Sequence, residues 1–122
     1  MSSWFTVRKE VDETVNTVER LYVLEMIVDD KVVYKIGKAS GKNCKQRMLQ
    51  IVASYFDVYR VTPVVKIVKD KACTEVFVKE TKCHQALVEH RFRPEKKFSG
   101  CTELFYVDKK VVLDVYKRIL ES

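Results

Sequence analysis

The sequence predicts an α/β domain of the α+β type, a small and mostly antiparallel sheet of three to four strands flanked by helices in the order ββαβαβα. Three observations lead there. Residues 21–28 and 32–36 are dense in β-branched and aromatic side chains and are separated by the polar triplet Asp29-Asp30-Lys31, which is the pattern of a hairpin. Stretches beginning near residues 43, 71 and 109 carry apolar residues at three- and four-residue spacing, the period of a helix with one buried face. Short strand-like runs stand at 58–68 and 103–107.

Taken in order, Val7, Val11, Val15 and Val18 form a weak helical stripe, so residues 1–19 read as an N-terminal arm or short helix. LYVLEMIV (21–28) and VVYKI (32–36) form the hairpin, and Gly37 is expected to end it. A polar loop fills 38–42. Asn43 and Gln46 then resemble a capping box, and Cys44, Met48, Ile51, Val52 and Tyr55 share the buried face of the helix that follows, with Arg47 at its edge. VYRVTPVVKIV (58–68) reads as a third strand, its Pro63 marking a bulge or an edge. Residues 71–92 read as a second helix with Val76, Phe77, Cys83, Leu87 and Val88 apolar. A loop at 93–102, a strand at 103–107 and an amphipathic helix at 109–120 complete the chain. Residues 20–107 thus form the body of the domain, and 108–122 a helix packed on it.

Composition narrows the function. The chain has 122 residues, 47% apolar and 33% charged, an ordinary globular profile with enough length for one core. No run of about 18 apolar residues occurs, so no membrane partner is expected. The start, MSSWFTVRKEVDE, lacks the apolar stretch of a signal peptide, which makes an intracellular site, cytoplasmic or nuclear, the expectation. The net charge of +6, from 23 basic and 17 acidic residues, suits an anionic partner such as nucleic acid. Cysteines stand at 44, 73, 83 and 101. Cys83, His84, His90 and Cys101 lack the paired spacing of a zinc site, and Cys44, Cys73 and Cys83 read as small core residues.

Several residues stand out chemically. Tyr22 and Tyr34 sit on paired strands, where tyrosine is ordinarily a packing residue. Lys35 alternates with Tyr34 and Ile36 and therefore faces the other way. It lies two residues before Gly37, a position where backbone or ligand can approach closely. Lys38, Lys42 and Lys45 follow, beside the N–H groups of a helix start, an arrangement that suits a phosphate. The GK[ST] ending of a nucleotide-binding loop is missing, so ATP is not expected. Glu80 and His84 are four apart and share a helical face with apolar residues. A carboxylate placed there needs a cation, either a metal or a basic side chain.

In this order and spacing, LYV at 21–23, KIG at 35–37, Arg47 in the next helix, ETKCH at 80–84 and TELF at 102–105 resemble a GIY-YIG nuclease domain. The similarity is to the branch common in bacteriophages and large DNA viruses, typified also by fungal meiotically up-regulated gene products. It covers about residues 20–107. The resemblance implies a metal-dependent endonuclease hydrolysing DNA phosphodiesters with one Mg²⁺ or Mn²⁺. It implies that Tyr22 is the general base or water-positioning group, that Lys35 stands in for the second motif's tyrosine, that Arg47 holds the scissile phosphate, that Glu80 binds the metal, and that His84 is the histidine of the ExxxH helix. Tyr34, Gly37, Lys38, Lys42 and Lys45 would line the phosphate and DNA path, and the base is left open between Tyr22 and Tyr34. LYV departs from GIY, and Ile51 stands where some relatives have a histidine. Glu103 belongs to the pattern without an assigned step. The alternative is an inactive nucleic-acid-binding module on the same fold. No separate recognition domain is visible in these 122 residues, so specificity is expected to come from a homodimer, a partner protein or the shape of the nucleic acid.

Overall fold

The computed structural model describes residues 18–122. The helical stripe expected over 7–19 therefore lies outside the described residues, apart from Val18 and from Glu19, which opens the first strand. β1 (Glu19–Val28) and β2 (Lys31–Ser40) form a long antiparallel hairpin. Its turn is Asp29-Asp30, both at positive φ (51° and 65°), the two-residue geometry that matches strand twist.

α1 (Lys45–Tyr59), β3 (Val65–Ala72), α2 (Val76–Ala86), β4 (Leu104–Phe105) and α3 (Lys109–Leu120) follow. Short 3₁₀ turns stand at Val88–His90 and Cys101–Glu103. The sheet runs β3-β1-β2-β4 and every pairing is antiparallel. β3 is an edge strand. It carries exposed Lys66, Lys69 and Lys71, which discourage the addition of another strand.

Both faces of the central hairpin are covered, so Leu21, Tyr22, Val23 and Leu24 are all fully buried. One face, with Tyr22, Leu24, Met26 and Val33, packs on Cys44, Ile51 and Tyr55 of the α1 segment. The other, with Leu21, Val23, Tyr34 and Ile36, packs on Val76 and Cys83 of α2 and on Val112, Val115 and Tyr116 of α3. The Tyr116 hydroxyl donates to the Leu21 carbonyl at 2.6 Å.

Several boundaries differ from the sequence expectation, β4 among them, which spans Leu104–Phe105 rather than 103–107. β2 runs through Gly37 to Ser40, because Gly37 pairs with Tyr22 and the tyrosine ring fills the space a side chain would take. α1 continues to Tyr59, where Tyr55 and Tyr59 stack at 4.3 Å and meet Phe98 edge-on. Arg60 then ends the helix in the left-handed region with its N–H on Phe56 O, which leaves Pro63 before β3 rather than inside it. Residues 71–72 belong to β3, so α2 begins at Val76 and Phe77 and Val88 face solvent. The capping box is absent. Asn43 Oδ1 accepts the Lys45 N–H at 2.9 Å, and the N-cap is Cys44, without a side-chain cap.

A carboxylate does what that cap does not. Asp70 of β3 accepts from Arg20 Nε at 2.7 Å and, with its other oxygen, from the Cys44 N–H at 2.8 Å. It ties β1, β3 and the start of α1 at one point. Asp70→Ala will strand both donors and lower stability by about 2–3 kcal/mol, and Asp70→Asn, which keeps one acceptor, will cost less; urea melts of both will decide. The Tyr34 hydroxyl donates to Glu25 at 3.0 Å, and burial pushes its pKa up to about 12. The folded state therefore favours the protonated phenol, and this contribution is complete below pH 10 and lost as pH rises towards 12. Melts across that window will fall less steeply in Tyr34→Phe than in the wild type.

Candidate functional site

β4 is only two residues long and pairs with Tyr34 and Lys35 alone. Beyond that point the outer edge of β2, from Ile36 to Ser40, has no strand beside it among the described residues. Helices from the two faces of the sheet can meet there. α2 reaches this edge through His84, whose Nε2 donates to the Ile36 carbonyl at 2.8 Å. A carbonyl only accepts, so Nε2 carries a proton, and in the neutral imidazole Nδ1 is the free acceptor.

Gly37 makes the edge passable. A Cβ there would lie 2.5 Å from the Tyr22 hydroxyl oxygen, 2.6 Å from Tyr22 Cζ and 3.1 Å from Lys35 Nζ. The glycine admits the tyrosine ring, not a ligand, against the backbone. Gly100, at φ +84°, leaves room for the same end of Lys35, since a Cβ there would come within 2.8 Å of its Cε and 3.2 Å of its Nζ. Two of the chain's three glycines thus frame one lysine.

Lys35 is fully buried and forms an ion pair with Glu103 Oε1. Burial pushes its pKa down, while Glu103 resists the shift. Its ammonium lies 5.7 Å from the Tyr22 ring centre. Tyr22 is also fully buried, and its hydroxyl has no hydrogen-bond partner among the described residues. Burial raises the Tyr22 pKa well above the ordinary tyrosine range, with the Arg47 charge opposing and Glu103 adding to the rise. Desolvation outweighs Arg47, and Lys35 is engaged with Glu103.

Arg47 stands in the first turn of α1, with Nη1 3.1 Å from Gln50 Oε1 and 3.4 Å from Ser99 Oγ. It borders a polar hollow of about 270 Å³ shared with Ala39, Ser40, Asn43, Gln46 and Gln50. From α2, Glu80 is buried, and its pKa is raised by burial and then by Glu103, with His84, Lys38 and Lys35 opposing. Ligand atoms of Glu80, His84 and Glu103 lie within 4.8 Å of one another. Two carboxylates and an imidazole are a donor set that fits a dication. His84's bond to a backbone carbonyl is the usual outer support of a ligating histidine, fixing its ring and its tautomer.

The profile of the T5orf172 domain matches residues 19–120. The chain belongs to the T5orf172 domain family. The match spans every element from β1 to α3, and the family is associated with GIY-YIG- and HNH-like nuclease-type modules. No curated protein and no solved structure matches the chain.

In this T5orf172 domain Tyr22, Lys35, Arg47, Glu80 and His84 gather around the Gly37 edge, drawn from β1, β2, α1 and α2. Tyr34 does not join them. It lies on the opposite face of the sheet, in the core under α2 and α3, with its hydroxyl on Glu25, and it is corrected to a packing residue. Lys38 is exposed near Glu80, with its ammonium 6.0 Å from the Phe77 ring centre. Lys42 and Lys45 are exposed on the approach to α1. The helix start they flank is not an open anion nest, because Asp70 and Asn43 already take the Cys44 and Lys45 N–H groups.

Glu103 is the residue whose part the sequence left unassigned. The signal was a lysine on a buried strand, which requires a carboxylate from elsewhere. Gly37→Ala will drive a methyl into the fully buried Tyr22 ring and destabilise the fold by about 1–3 kcal/mol. Urea melts will show the loss. Gly41→Ala, made at a positive-φ position (108°) on the loop beyond β2, will be destabilised without displacing Tyr22, as the tyrosine ring signals in an NMR spectrum will report.

Proposed function

We propose that this domain is an endonuclease that hydrolyses DNA phosphodiester bonds with the help of one bound Mg²⁺ or Mn²⁺, in the manner of GIY-YIG nucleases. What supports this reading is one juxtaposition. A buried tyrosine hydroxyl with a free hydrogen-bonding capacity, a buried lysine and an arginine fork border the same edge as a cluster of metal-type donors.

The chemistry follows from those groups. Arg47 presents a planar pair of donors to two oxygens of the scissile phosphate and stabilises the charge that grows as water adds to phosphorus. Tyr22 keeps its proton near neutral pH, so its hydroxyl orients the attacking water by a hydrogen bond; as the water oxygen bonds to phosphorus its proton passes to solvent, the P–O bond to the leaving sugar oxygen breaks, and that oxygen takes up a proton from solvent. Lys35 places positive charge beside the same phosphate. Glu80 would hold the cation, whose contribution when bound is Lewis-acid polarisation of a phosphoryl oxygen. His84 is fixed against Ile36 and keeps its free nitrogen towards Glu80. Lys38, Lys42 and Lys45 contact the flanking DNA backbone, which adds affinity without sequence information.

The test is a supercoiled-plasmid nicking assay. The wild type will nick in Mg²⁺ or Mn²⁺ and stop in EDTA. Arg47→Ala and Glu80→Gln will each lose about 100-fold or more of the rate while keeping wild-type melting curves. Binding without nicking in every metal tested would leave the non-catalytic nucleic-acid-binding module instead. In binding assays the Lys42→Ala/Lys45→Ala double variant will bind all sequences more weakly, and the slope of log K against log salt will fall by about 2.

A further inference from the structure

The Glu80–His84–Glu103 cluster already contains a cation, the ammonium of Lys35. It is paired with Glu103, which offers a ligand atom within 4.8 Å of those of Glu80 and His84. Lys35 has no exposed surface, and the backbones of Gly37 and Gly100 both close in on its ammonium end, where a Cβ would lie 3.1 and 3.2 Å from Nζ. The ammonium therefore has nowhere to go but within the site. A dication drawn to the same donors must compete with it for the Glu103 carboxylate.

We infer that Glu80, His84 and Glu103 together ligate the dication, and that Lys35 is a tethered counter-cation which holds Glu103 until the metal displaces it. This rests on the metal-dependent reading above and goes further in naming the ligands and their competitor. Three features support it. The donors lie within 4.8 Å of one another. The bond from His84 Nε2 to Ile36 leaves Nδ1 as the ligating nitrogen. The Tyr22 hydroxyl, buried and without a partner among the described residues, borders the same point beside Gly37 as Lys35 Nζ, at 2.5 and 3.1 Å from it. That hydroxyl is the acceptor towards which a displaced ammonium turns, so metal loading moves positive charge from Glu103 to the place where the phosphate arrives. An imidazole ligand also favours Mn²⁺ over Mg²⁺, which prefers oxygen donors and gives up its waters reluctantly.

The experiment is Mn²⁺ binding to the whole chain without DNA, followed by calorimetry and by the electron paramagnetic resonance of free Mn²⁺. Lys35→Met, with folding checked by circular dichroism, will bind Mn²⁺ about tenfold more tightly than wild type, and Glu103→Gln and His84→Gln about tenfold more weakly. Mg²⁺ will compete only at far higher concentration. Unchanged or weaker binding in Lys35→Met, or unchanged binding in Glu103→Gln, overturns the assignment. A second measurement needs no substitution and decides the matter if Lys35→Met does not fold. The Lys35 Nζ resonance of ¹⁵N-labelled wild type will shift on titration with diamagnetic Zn²⁺, and a resonance that stays in place overturns the displacement. Expected affinities without nicking would remove the nuclease reading alone. Nicking with unchanged affinity in Glu103→Gln would remove this assignment alone.

Discussion

A buried ammonium must be answered by a carboxylate, and in this domain that requirement falls at Lys35. The strand that carries it has both faces covered, so its side chain cannot reach water. Its answer comes from Glu103, 68 residues further on. That ion pair fixes the 3₁₀ turn at Cys101–Glu103 beside β2 and brings a second carboxylate close to Glu80. A charge pair of this kind adds little to stability compared with an apolar pair of equal volume. Its retention in the middle of a well-packed sheet points to a use in the site.

The shape of the sheet gives that use a place. β4 stops after two residues, and among the described residues no strand covers the outer edge of β2 from Ile36 onward. α1 contributes Arg47 from one side of the sheet, and α2 contributes Glu80 and His84 from the other. A longer β4 would keep those two helices apart. Gly37 and Gly100 supply the remaining condition, since each gives up the volume of a side chain to Tyr22 or Lys35.

Much of the fold was legible in the sequence because hydrophobic period is a local property. The element order, the hairpin and the span 109–120 of α3 all follow from spacing. The misplaced boundaries have tertiary causes. Tyr59 stays helical because it stacks on Tyr55 and meets Phe98, and β2 survives Gly37 because a tyrosine from β1 occupies the gap. In the site, alternation along β2 already separated Tyr34 from Lys35, so the placement of Tyr34 away from the cluster was present in the sequence. The charge state of Tyr22 was not. It depends on how completely its hydroxyl is withdrawn from water, and no local pattern encodes that. The partnership of Lys35 with Glu103 was unreadable for the same reason.

The two hydrogen bonds that Asp70 accepts carry a further implication. This one carboxylate anchors the loop that leads into α1, and it sits near the end of β3, an outer strand of the described sheet. Terminal segments of outer strands open more readily than the rest of a sheet. When the end of β3 frays, the Cys44 anchor is released and the arginine three residues later loses its fixed distance to Tyr22. Heat would thus disarm the molecule from its far side, at temperatures where the hairpin and its tyrosine are still intact.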